Sequence, residues 1–147
     1  MIILDYKLTN NNYQQYNLAT ASKEILHYDI FLGDIIFKVD NCDFSTQWGW
    51  IPIVDFVVCF INLIESLKFK KIAKFEFTES DNYILINREN DKALITTNYV
   101  ECKAKTSYLE LLNTSRQFGI KVIKDFSNQF PELLRNSYFM NEIRKYL

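Results

Sequence analysis

The spacing of hydrophobic residues changes along the chain, and each change predicts an element. Residues 2–8 form an apolar, strand-like run, and residues 9–22 are polar, rich in Asn and Gln, and read as a loop. Residues 24–31 alternate, with Leu26, Tyr28 and Ile30 on one side and His27 and Asp29 on the other, which predicts a half-buried strand. Leu32-Gly33 predicts a tight turn. Residues 34–40 are the return strand, with Ile35, Phe37 and Val39 inward. A loop carrying Asp43, Phe44 and Trp48 follows.

Residues 51–67 break the alternation. At 100° per residue, Asp55, Cys59, Asn62 and Ser66 fall on one narrow stripe, and nearly every other position is apolar. A helix with so thin a polar seam is buried over most of its circumference. The segment is at the lower length limit for a membrane span, and a mid-span Asp opposes insertion. It therefore predicts the central helix of a globular fold, with Val57 and Ile61 fully buried, the seam toward water or polar loops, and Pro52 at its start. Lysines 68, 70, 71 and 74 make its exit basic.

Three strand patterns come next, over residues 73–79, 83–88 and 92–99, with 100–105 as an extension of the third. From Tyr108 to Phe130, apolar residues return at helical spacing, with small residues Ser115 and Gly119 in the stripe. Ser107 followed by Glu110 predicts an N-cap. Pro131 interrupts, and residues 136–146 predict a last helix with Phe139, Met140, Ile143 and Leu147 on its apolar side. The order is βββ-α-βββ-αα. Strand runs joined by short turns imply antiparallel pairing, so the class is α+β, in one domain covering 1–147.

Composition narrows the function classes. The 147 residues carry 17 Lys plus Arg against 18 Asp plus Glu, a net charge of −1, which gives no global support to nucleic-acid binding. Three Gly and two Pro leave no glycine-rich phosphate loop. Met1-Ile2-Ile3-Leu4-Asp5 is not the pattern of a signal peptide. Cys42, Cys59 and Cys102 are an odd number in a chain long enough to support its own core, which predicts reduced thiols in a bacterial-type cytoplasm.

The chemistry-bearing residues point away from catalysis. His27 is the only histidine and is expected on a polar strand face. No flanking motif makes it the base of a cysteine or serine nucleophile. With one His and no CxxC, no metal site is expected, and no cofactor motif is present. Asp40-Asn41-Cys42-Asp43 lacks the glycine and glutamate of a calcium loop and reads as a hairpin end. Glu76, Glu79 and Asp81 form a second acidic group. A polar pocket around Asp55, Asn62 and His27 would favour a small enzyme or ligand-binding module.

The most distinctive string is Trp48-Gly49-Trp50-Ile51-Pro52-Ile53-Val54-Asp55-Phe56. Its tryptophans either seal the core or stay exposed as an interface anchor. Together with Phe75-Glu76-Phe77-Thr78-Glu79-Ser80 and Phe130-Pro131-Glu132-Leu133, it resembles a family of small bacterial proteins, over roughly residues 25–140. Some members of such families are immunity proteins against polymorphic or contact-dependent inhibition toxins. The resemblance implies a non-catalytic cytoplasmic protein that binds a cognate toxin domain. The toxin would be a nuclease, whose basic cleft suits an acidic surface. The candidate contacts are Asp40, Asp43, Trp48, Glu76, Glu79, Asp81 and Tyr83. The alternative is a structural or adaptor domain that self-associates. Neither nucleic acid nor membrane is an expected partner.

Overall fold

The computed structural model describes residues 1–146 except Asn11 and Glu79. It holds two antiparallel four-stranded sheets and two α-helices, an α+β fold. In the first sheet, β1 (Ile2–Leu8) pairs with β2 (Leu32–Val39) from Gly33 to Val39. The short β3 (Cys42–Asp43) and β4 (Ile51–Pro52) pair with opposite ends of the same β2. The second sheet is a meander of β5 (Ile72–Glu76), β6 (Tyr83–Glu89), β7 (Lys92–Thr97) and β8 (Ala104–Ser107).

Helix α1 (Ile53–Ser66) is the centre of the molecule. Val57 and Ile61 are 1% and 3% exposed, as its all-round hydrophobicity predicts. Phe56 and Phe60 stack on each other and meet Phe75 of β5 edge-on, and Phe60 also meets Phe37 of β2, so α1 joins both sheets through aromatic contacts. Helix α2 (Tyr108–Gln129) lies across α1. The small residues of its stripe make this possible: a Cβ on Gly119 would stand 2.5 Å from Ile61 Cδ1, and Ser115 is fully buried. Ser107 Oγ accepts from the Glu110 N–H and caps α2. Tyr6 of β1 packs on Phe118 and Phe126 and donates its hydroxyl to Asp125, fixing α2 on the first sheet.

Several expectations give way. Residues 24–31 are not a strand: Ile25–Asp29 is a π-helical turn. Its alternation was shared by a helical spacing, in which Leu26 and Ile30, four apart, both enter the core. Leu32 and Gly33 lie inside β2 rather than in a turn. The third strand of the meander ends at Thr97, and β8 returns from it as a separate strand instead of extending it. The last helix is a π-helical turn, Phe139–Ile143, and a 3-10 turn, Arg144–Tyr146, with Phe139 and Ile143 buried and Leu147 outside the described residues.

The cysteines are the largest departure. Cys42 and Cys102 form a disulfide with Cα atoms 5.8 Å apart, and only Cys59 is free. The bond ties β3 to the segment before β8, and beside it the Tyr99 hydroxyl donates to the Phe44 carbonyl at 2.8 Å. The two sheets are thus joined covalently where they meet. No helix among the described residues is long and apolar enough to cross a membrane.

Candidate functional site

The loop between β3 and β4 leaves the first sheet over the end of the second. Gly49 adopts φ +79°, a conformation that side chains disfavour, and its N–H donates to Asp34 Oδ1 at 2.7 Å. That kink stacks Trp48 on Trp50, with ring centroids 5.5 Å apart. Trp48 then meets Phe77, just past β5, at 5.2 Å and Tyr99, just past β7, at 5.1 Å, both edge-on. Both indoles stay partly exposed, so Trp48 closes the core and keeps part of its ring on the surface.

The predicted contact residues divide around this cluster. Asp43 follows Cys42 on β3, and its carboxylate accepts from the Ser45 hydroxyl and N–H, which holds its pKa below the ordinary aspartate value. Its charge, added to burial, raises the Tyr99 phenol well above the usual tyrosine range. Glu76 ends β5 directly opposite Tyr83, which opens β6. Lys74 pairs with Glu76 at 3.3 Å and lies 4.4 Å from the Tyr83 ring centre. Asp81 is exposed in the turn before β6, and Asn98 ties its carbonyl and the Tyr83 N–H to the end of β7. Asp43, Trp48, Glu76, Asp81 and Tyr83 therefore share one end of the molecule. Asp40 is separate in its bonding: it turns the hairpin at φ +51° and its carboxylate holds the Met1 amino group at 2.5 Å. Glu79 lies outside the described residues.

Two members of this end lie outside the predicted contact set: Trp50, which the sequence leaves open between core and interface, and Tyr99. Trp50 walls a cavity of about 390 Å³ with Tyr28, Asp29, Leu32, Pro52 and Thr78. Tyr99 is the hub on which Trp48, Phe77 and the Phe44 carbonyl meet. The repeated Trp was a usable signal for the first. Nothing local marks Tyr99, because its partners are distant in sequence and two of them, Trp48 and Phe44, come from the other sheet's side.

A second polar assembly sits inside the protein. His27 is 5% exposed, not on a solvated strand face as expected. A carboxylate can only accept, so its Nδ1–H donates to Asp55 Oδ1 at 3.0 Å, while Nε2 meets the Tyr138 hydroxyl at 2.8 Å. The Cys59 thiol, one turn along α1, donates to the same Asp55 oxygen at 3.6 Å. Asp55 is thus buried and satisfied, so the polar seam of α1 is closed at Asp55, while Asn62 is exposed and Cys59 and Ser66 are part-exposed.

The order hydroxyl–imidazole–carboxylate is that of a nucleophile, its base and an orienting group. The electrostatics oppose that use. Burial raises the Tyr138 phenol pKa, and burial with the Asp55 charge pushes the Cys59 thiol up to about 11. The groove beside α1, about 430 Å³, is lined by Asp55, Asn62 and Cys59, but by neither His27 nor Tyr138. The assembly is arranged to pin the C-terminal helical turns to α1. Nearby, Asn136 ties the same C-terminal region to the segment that follows β1, its amide donating to the Leu18 and Ala21 carbonyls. Among the described residues, no group of three His, Cys, Asp or Glu side chains could hold a metal ion.

Comparison with known protein families, with curated proteins and with solved structures returns no match to this chain.

Proposed function

We propose that this protein is an immunity protein: a non-catalytic domain that binds and neutralises a cognate bacterial toxin domain. The observation that carries the reading is the end described above, where half-exposed Trp48 and Trp50 lie beside a cavity and are rimmed by Asp43, Glu76 and Asp81. Aromatic anchors ringed by charge are the usual makeup of a high-affinity protein interface. The cavity at Trp50 is sized to receive a partner's side chain. A net charge of −1 leaves little for bulk attraction, so affinity comes from the anchors, and the local acids select a basic face such as a nuclease cleft.

This role places the protein in the cytoplasm, where such a toxin acts. Cytoplasmic thiol buffers oppose the Cys42–Cys102 bond. On this reading the pair is reduced in the cell, and the binding end is held by the Tyr99–Phe44 hydrogen bond and the aromatic cluster. The test is co-expression with the toxin domain encoded beside the gene, in a sensitive host. Protection and a one-to-one complex on a sizing column are expected. Growth arrest despite abundant folded protein, with no complex formed, overturns the proposal.

A further inference from the structure

Strand β5 lies at an edge of the second sheet, hydrogen-bonded only to β6. Lys71 accepts from the Arg88 N–H, and Phe77 donates to the Asn82 carbonyl. In an antiparallel ladder this parity turns the backbone groups of residues 71, 73, 75 and 77 toward β6. The N–H and C=O groups of Ile72, Lys74 and Glu76 therefore point out of the sheet, along its free edge. All three residues are exposed, with Ile72 55% exposed. Such a row of donors and acceptors is a template for another extended strand.

We propose that this edge pairs with itself: two copies of the chain join antiparallel along β5 about a two-fold axis at Phe75, giving one continuous eight-stranded sheet. The choice of occupant follows from charge. Edge-facing residues can bond only to edge-facing residues, so the axis falls on Lys74, Phe75 or an equivalent position. An axis at Lys74 sets each lysine against its own copy, which is repulsive. An axis at Phe75 sets Lys74 opposite Glu76 of the second copy, twice, and makes about four backbone hydrogen bonds. The strand is thus self-complementary, as an isologous interface requires.

The other face agrees. Phe75 would lie opposite the second copy's Phe75, on the side of the sheet that carries α1. There the groove of about 430 Å³ between β5 and α1, lined by Leu63, Asn62 and Cys59, leaves room for the incoming ring. The strand alone buries less than the roughly 1,600 Å² of a standard interface, so the dimer is a weak one, with a dissociation constant in the micromolar range. Glu76 belongs to both proposals, so the Lys74→Glu variant, which spares the proposed toxin contacts, separates the failure of one from the failure of the other.

Sedimentation velocity over roughly 1–200 µM should show a species of twice the 17.5 kDa chain mass growing with concentration. Lys74→Glu and Glu76→Lys should each weaken association by roughly tenfold or more, because each sets like charges opposite one another twice. The double reversal, Lys74→Glu with Glu76→Lys, should restore it to within about threefold. Both side chains are exposed, so thermal melts should confirm that all three variants stay folded. Amide hydrogen exchange at Lys74 and Glu76 should slow as the dimer fills. A monomer across the whole range overturns the inference. So does a dimer that tolerates the single reversals, or one that leaves those two amides in fast exchange.

Discussion

The two polar regions of this molecule are opposites. The His27–Asp55–Tyr138 chain has the ordering of catalytic groups but is closed: His27 is 5% exposed and its hydroxyl partner is made less acidic by burial. The Trp48 end is open, and its polar groups form no such chain: the Ser45 hydroxyl donates to Asp43, Lys74 pairs with Glu76, and the Tyr99 hydroxyl donates to Phe44. Chemical order without access makes a structural clamp. Access without that order suits the proposed binding surface. Which region a residue belongs to, more than its type, decides what its loss should do.

The clamp should show the largest effect. Asp55→Ala leaves the His27 Nδ1–H and the Cys59 thiol without their acceptor in the interior. A cost of about 3 kcal/mol or more is expected in denaturant melts. Under conditions where the variant is still folded, partner binding should be unchanged. Loss of binding by folded Asp55→Ala protein would show that the two regions act as one.

The disulfide comes next. Cys42→Ser with Cys102→Ser removes a link across 60 residues and should cost about 2–4 kcal/mol under oxidising conditions. In reducing buffer the wild type should fall to the variant's level. Thiol trapping in intact cells sharpens this: three alkylated cysteines fit the cytoplasmic role, and one fits an oxidising compartment. At the open end, Asp43→Lys with Asp81→Lys should slow association with the toxin by roughly tenfold and leave the melting temperature within about 2 °C. Both side chains are exposed, so a large drop in stability would place them in the fold instead of the interface.

What the sequence showed and what it hid follow from the range of the signal. Strand β1, the inward set Ile35, Phe37 and Val39, the burial of Val57 and Ile61, and the Ser107 cap are local or periodic, and all were legible. So was the close approach that Gly119 allows, since a small residue in an apolar stripe has few other uses. The π-helical turn at His27 was misread because eight residues of alternation fit two periods. A strand there gives the histidine a solvated face, and its partners, 28 and 111 residues away, leave no local signal. The Cys42–Cys102 pairing and Tyr99 were hidden for the same reason. Each depends on how two sheets meet, and no period in either segment encodes that.

The last test probes the clamp from its edge. Cys59 is the one free thiol, half-exposed on α1, and burial with the Asp55 charge pushes its pKa up to about 11. Only the thiolate reacts with alkylating agents, and an ordinary cysteine titrates near 8.5. At pH 8 the Cys59 thiolate is therefore scarcer than that of a free cysteine by roughly a hundredfold, and iodoacetamide should react more slowly, by a smaller factor because a more basic thiolate is the better nucleophile. The rate should climb about tenfold per pH unit and level off only near pH 11. Asp55→Asn separates the two causes. It removes the charge while its side-chain oxygen can still accept from His27, so alkylation should speed up at every pH below the plateau. A wild-type rate at pH 8 equal to that of free cysteine would mean that neither burial nor the Asp55 charge acts on the Cys59 thiol, and the contrast between a closed region and an open one would fail at that residue.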